Sequence, residues 1–369
     1  MKFSAQVTSS YETSNRGDVA SPTNSVTSPR KKSKKDKDPY LEHFYGNYWT
    51  QVILRGQLPQ NRCNMGYAAD NQYFYIMGGQ DLNVGIHDSV WRISMPAVRD
   101  NIRNAQWEQV EVRGEPLMRI SHFAMFVYQS KIFVFGGVKA TVSKKRAKKS
   151  EADNQTHLLF NILSLQTFQW SQWRMDEYVP ELDDFAHYFD KKRGLMWVFG
   201  GYYKGQKCSI FLKIDCAVKG IQILSKDSSS NDQREDKCPS PRAASRMIYY
   251  EKTNSVYLYG GLTPQNTTLN DMWRYDVAAG TWEQVKQHGF VPEPRCGHSF
   301  NLHVNKVFLF GGLLEITKES NETFIFNLET HTWERICGDL DTITVPGTPH
   351  NNMGDSKGGL PLSREGSNL

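Results

Sequence analysis

Along this chain, short runs dominated by β-branched and aromatic residues end in two consecutive glycines, and the pattern occurs five times. The runs are Tyr73-Phe-Tyr-Ile-Met-Gly-Gly79, Ile132 to Gly137, Leu195 to Gly201, Val256 to Gly261 and Val307 to Gly312. Four or five such residues in a row predict a buried β-strand. Glycine at a strand costs about 0.5–1 kcal/mol relative to alanine. Pairs that return at Gly78/Gly79, Gly136/Gly137, Gly200/Gly201, Gly260/Gly261 and Gly311/Gly312 therefore predict a recurring backbone need, either a positive φ or the close approach of a neighbouring strand.

The first glycines are separated by 58, 64, 60 and 51 residues. A tryptophan precedes four of the pairs by 29 or 30 residues, at Trp49, Trp107, Trp170 and Trp282, and Trp333 joins them as a structural tryptophan. Downstream of the pairs an acidic position leads into an aromatic strand, at Asp88-Ser-Val-Trp91 and Asn270-Asp-Met-Trp-Arg-Tyr-Asp276, with a weaker echo at Asn321-Glu-Thr-Phe-Ile-Phe326. Over residues 48 to 336 these marks resemble the Kelch-repeat β-propeller family, whose period is about 50 residues. The resemblance implies an all-β disc of four-stranded blades, with strand a innermost and strand d outermost. It implies little about function.

Five complete blades are expected, at about 63–111, 121–173, 185–224, 243–285 and 297–336. An extra N-terminal strand, Tyr48 to Leu54, carries Trp49 without preceding partners. Either five blades close by themselves, or this strand completes an unfinished sixth, a clasp that removes exposed edges. The outer strand of blade three, Gly220-Ile-Gln-Ile-Leu224, has no tryptophan, so lighter packing is expected there. Residues 1–39 are rich in Ser, Thr, Lys and Asp and are read as a disordered basic tail, 40–336 as the propeller, and 337–369 as a polar tail or incomplete blade. Some forty residues ahead of the repeats are too few for the BTB adaptor domain of many family members, so a ubiquitin-ligase role is not carried over.

Loop lengths predict a recognition face. In an antiparallel blade the a–b and c–d turns share one face of the disc, and the b–c and d–a connections share the other. The largest insertions, 138–155 and 225–240, both belong to the second face, and long loops on a rigid scaffold are where binding concentrates. Around its mouth Arg62, Arg119, Arg242 and Arg295 lie 16, 17, 18 and 16 residues before their glycine pairs, with Asp184 in blade three. Arginine here is also the family's usual strand start, which leaves two readings: hydrogen bonds to neighbouring loops, or a guanidinium ring that forks onto the carboxylates of an acidic peptide, as such arginines do in several Kelch-type adaptors. His122, His187 and His298 follow, but they lack the short spacing of metal ligands.

Charge refines the picture. The chain carries 44 Lys and Arg against 39 Asp and Glu. Arg30 to Lys37 contributes a net +5, and Lys144, Lys145, Arg146, Lys148 and Lys149 another five positive charges, so the rest sums to −5. A broad nucleic-acid face is disfavoured, and two basic segments remain for weak contact with RNA, acidic proteins or anionic surfaces. No apolar run is long enough to span a membrane. The six cysteines form no Cys-x-x-Cys pair, which suits reduced thiols in the cytoplasm, with the nucleus open through the basic tail. The sequence offers no glycine-rich phosphate loop and no compact ligand run, and no cofactor is expected. The reading is a non-catalytic protein-interaction scaffold that binds a partner, with an acidic peptide as the finer expectation. The rivals are a metal-dependent oxidoreductase of the Kelch type and weak association with RNA.

Overall fold

The computed structural model describes residues 44–45, 49–50, 52, 54, 56–81, 83–114, 119–139, 157–218, 220–225, 238–315 and 318–337. The glycine-terminated runs are strands, each the second of a four-stranded antiparallel sheet built from consecutive segments. Blade one is β1 (Gly66–Ala69), β2 (Tyr73–Met77), β3 (Val90–Ser94) and β4 (Trp107–Val110). Blade two is β5 (Ala124–Tyr128), β6 (Lys131–Phe135), β7 (His157–Ser164) and β8 (Trp170–Met175). Blade three is β9 (Ala186–Asp190), β10 (Leu195–Phe199), β11 (Phe211–Asp215) and β12 (Gly220–Ser225). Blade four is β13 (Arg246–Tyr250), β14 (Ser255–Leu262), β15 (Thr268–Asp276) and β16 (Thr281–Gln284). Blade five is β17 (Ser299–His303), β18 (Lys306–Phe310), β19 (Thr323–Asn327) and β20 (Thr332–Cys337). The expected all-β propeller is the fold observed.

The glycine pair rivets one blade to the next. The second glycine's N–H reaches the carbonyl at the entry to the following blade: Gly79 to Ile120, Gly137 to Leu182, Gly201 to Arg242 and Gly261 to Arg295, at 2.8–3.0 Å. The first glycine lies under the same oxygen at positive φ. A Cβ on Gly78 would sit 2.3 Å from the Ile120 oxygen, and one on Gly260 2.7 Å from that of Arg295. Both reasons for paying the glycine penalty hold at once.

Side chains on the two faces of each sheet fill the wedges between blades. Met77, Val90 and Val110 pack on Phe123, Val134 and Trp170 between blades one and two. Phe133, Phe135 and Phe160 meet Phe185, Val198 and Leu212 between two and three. Trp197, Phe199 and Phe211 meet Tyr249, Leu258 and Tyr275 between three and four. Tyr257, Tyr259 and Met272 meet Phe300, Leu309 and Trp333 between four and five. Large flat rings suit such wedges because each removes about 150–250 Å² from water.

Three features were not expected from the sequence. A six-residue helix, α1 (Met95–Asp100), occupies the c–d connection of blade one, capped by the Ser94 hydroxyl and opened by Pro96. Its Val98 packs with Ile93 and Ala105 beside the half-buried Trp107. On blade five, His288–Gly289 adds a parallel fifth strand beside β20. Trp49–Thr50 pairs antiparallel with Phe44–Tyr45 rather than with any of the five sheets.

The two faces of the disc differ in build. On one, apart from the c–d connection of blade one that holds α1, the a–b and c–d turns are short, and several are tied by side chains: Asp190 accepts from the Lys192 and Arg193 N–H groups, and Asp276 from Ala278 and Ala279. On the other, the connections add a second tier of short pairings, with Gln80–Asp81 against Gly85–Ile86, Val138–Lys139 against Ile120–Ser121, and Leu313–Glu315 against Lys318–Glu319.

Candidate functional site

Each inner strand is entered through the same backbone register, which the inter-blade hydrogen bonds define. Its positions are Ile120, Leu182, Arg242 and Arg295 in blades two to five, and Arg62, two residues before the left-handed Asn64, in blade one. The expected set is thereby corrected at two places. Arg119 lies one residue ahead of this register, and Asp184 two residues past it.

Arg242 and Arg295 are buried at 1% and 0% exposure. All five N–H donors of Arg242 are used: Nε on the Ser240 carbonyl, Nη1 on the Gly260 carbonyl and Asp271 Oδ1, and Nη2 on Asp271 Oδ2 and Ser240 Oγ. Arg295 repeats the scheme on Glu293, Gly311, Ser320 and Glu322. A bidentate carboxylate that fixes a buried guanidinium is a structural arrangement, since breaking it would strand a buried charge. Arg62 is also buried, and it donates to the Gln60 and Gly78 carbonyls and to Ser89 Oγ. Arg119 is the exposed member, 3.6 Å from the Asp88 carboxylate. Of the four arginines, then, the rim of the loop face presents Arg119, and the other three turn into their own sheets.

Two residues past the register, a positive-φ residue lines the mouth in every blade: Asn64, His122, Asp184, Ala244 and Gly297. Each N–H donates to its predecessor's carbonyl, from His122 to Asn64, Asp184 to His122, Ala244 to Asp184 and Gly297 to Ala244, at 2.9–3.1 Å. This spiral holds the side chains of Asn64, His122 and Asp184 at the entrance.

Below it lies a residue the sequence reading missed. The inner strands begin with Gly66, Ala124, Ala186, Arg246 and Ser299 at one register, because each pairs with the residue just before a glycine pair. Four are small and the fifth is arginine. The Arg246 guanidinium donates to the Ser245 carbonyl, and its charge is felt by side chains of all four other blades, Tyr67, His122, His187 and His298. Burial first, and Arg246 second, push His122 and His187 down to about 4 and His298 well below the ordinary histidine value. The three imidazoles are neutral at pH 7, and among the described residues they are not gathered into a metal-binding cluster.

Exposed apolar side chains are distributed unevenly. Val84, Val138, Tyr178, Phe290 and Val291 lie on the b–c and d–a connections, Val218 and Val304 on the opposite turns, and Ile223 on an outer strand. Among the described residues, clefts open on the same connections at equivalent places in blades one and five. One, of about 310 Å³ in blade one, is lined by Gln60, Arg62, His87, Asp88, Gln109 and Arg119 among others. The other, of about 410 Å³ in blade five, has Phe290, Leu314 and Phe324 with Glu293, Lys318 and Arg335. Tyr178 and Tyr203 share a hydroxyl hydrogen bond of 2.8 Å, which with burial pushes Tyr178 up to about 12. Lys144, Lys145, Arg146, Lys148 and Lys149 lie outside the described residues, as do the basic tail and most of the C-terminal segment. Among the described residues, no helix is long and apolar enough to cross a membrane.

Comparison with known proteins agrees with the repeat. Residues 27–219 and 221–343 match the model of the KLHDC2/KLHL20/DRC7 Kelch-repeats domain. The chain is 23% identical to Kelch domain-containing protein 2 of Mus musculus over 305 residues, 78% of this chain and 71% of that protein. It is 23% identical to Kelch domain-containing protein 1 of Mus musculus over 310 residues, 79% of this chain and 72% of that protein. Host cell factor of Drosophila melanogaster is 25% identical over 333 residues, 81% of this chain and 20% of that protein.

Proposed function

The chain belongs to the KLHDC2/KLHL20/DRC7 Kelch-repeat family, and from that premise we propose that it is a non-catalytic interaction scaffold holding a protein partner on its b–c and d–a face. The observation that carries this reading is sidedness. Among the described residues, five of the eight exposed large apolar side chains and the clefts of blades one and five belong to that face, while the opposite face, α1 apart, is made of short, internally bonded turns. Apolar groups left in water beside polar-walled clefts on a rigid frame are what a binding surface requires. An acidic segment is the finer reading, supported by the exposed Arg119 at the rim and the Arg246 charge near the axis.

Affinity capture from cells, followed by mass spectrometry, tests the face. A Tyr178→Ser/Phe290→Ser double variant should lose the captured partner, and a Val218→Ser/Val304→Ser variant should retain it. Loss in the second and retention in the first would overturn the proposal.

A further inference from the structure

Arg62, Arg242 and Arg295 hold one position in three blades, and each faces the residue eleven places after the first glycine of its pair, on the approach to strand c. In blades four and five that residue is a carboxylate, Asp271 at 2.7 and 2.8 Å or Glu322 at 2.9 Å. In blade one it is Ser89, whose single oxygen takes Nη1 at 3.1 Å. Among the described residues, Nη2 of Arg62 has no acceptor. The neighbouring aromatic repeats the comparison: Trp273 donates to Asp271 at 2.6 Å, and Trp91 to Ser89 at 3.1 Å.

Blade five has a cleft too, but there Glu322 in its wall already holds Arg295; at the equivalent place beside Arg62 lies blade one's cleft of about 310 Å³. The walls are polar, with Gln57, Gln60 and Gln109, and the charges are those of Arg62, Arg119 and Asp88, a net +1. His87 adds a further unmet demand: it is 6% exposed and, among the described residues, its Nε2 has no partner. Desolvation pulls Arg62 down to about 10 against the opposing field of Asp88, as expected of a buried cation short of counter-charge.

We infer that this cleft is a carboxylate site, in which an Asp or Glu side chain of a bound polypeptide stands where Asp271 and Glu322 stand in blades four and five, meeting Arg62 from within and Arg119 from the rim. The inference rests on the loop-face reading and names one subsite of it. Ser89 is what leaves Arg62 without a carboxylate from its own blade: an acidic side chain at position 89 would take the guanidinium from within the chain, as Glu322 takes Arg295 in blade five.

The test follows from that substitution, made in the full chain. A tetra-aspartate peptide capped at both ends, labelled for fluorescence anisotropy, should bind the unaltered protein, and its tetra-asparagine counterpart should not. Ser89→Asp should weaken binding by about tenfold or more, equivalent to about 1.4 kcal/mol, and raise Tm in the absence of peptide. Arg119→Ala, which removes an exposed side chain and keeps the fold, should weaken binding without lowering Tm. Equal binding by Ser89→Asp, or by the asparagine peptide, overturns the site. Inorganic phosphate raising Tm as much as the aspartate peptide would reassign the cleft to a free anion and also overturn it. Either failure leaves the loop-face reading standing, because that reading depends on the Tyr178/Phe290 capture experiment.

Discussion

Blade four and blade one hold the same arginine at the same register and treat it differently. Arg242 meets Asp271 and spends every N–H, whereas Arg62 meets Ser89 and leaves Nη2 toward a cleft. Blades two and three dispense with the charge and bury Ile120 and Leu182 there. In blades two to five this position supplies a backbone carbonyl that receives a glycine N–H from the preceding blade, whatever the side chain. The side chain is therefore available for other uses, and the strand-c residue opposite determines whether it becomes a strut or an open donor.

The strongest way to break this comparison is to remove the strut. Asp271→Ala should strand the buried Arg242 charge and cost about 3–5 kcal/mol, read as a lower midpoint in urea at constant slope. Acid should act next, through the channel histidines. His122 and His187 titrate at about 4 when folded, below the 6.5 of free histidine, so the unfolded chain binds more protons between these values. Their contribution to stability is complete above pH 6.5 and is lost as pH falls toward 4. Tm measured over that window should decline, and a His122→Gln/His187→Gln variant should flatten this part of the decline. Gly260→Ala should cost about 1–2 kcal/mol for its left-handed φ, with more for the Cβ that would crowd the Arg295 carbonyl. Arg119→Ala should cost at most about 1 kcal/mol, the smallest effect, because its pair with Asp88 is exposed and 3.6 Å long. A cost equal to that of Asp271→Ala would erase the distinction between rim and core.

Much of this architecture can be read in the sequence because the glycine pairs report a backbone constraint that no other residue meets as well. The five described sheets follow from them, whereas the long insertions expected at 138–155 and 225–240 lie for the most part outside the described residues. The site is less legible. Arg119 and Arg242 sit 17 and 18 residues before their glycines, yet the first is one residue outside the register that contains the second, and spacing cannot reveal where an inserted residue is absorbed. Arg246 became conspicuous only when pairing aligned it with Gly66, Ala124, Ala186 and Ser299. The contrast between Ser89, Asp271 and Glu322 was present as a recurring acidic mark, but its meaning depends on which guanidinium each residue faces. That is a contact made across three strands.

The most direct test is a reciprocal exchange, with unfolding free energy measured in urea for Ser89→Asp and Asp271→Ser. If the strand-c residue determines the state of the arginine, the first variant gains stability by supplying the absent carboxylate and the second loses it by recreating blade one's arrangement in blade four. Loss of stability in both would contradict the account, because the two arginine positions would then not be interchangeable versions of one site.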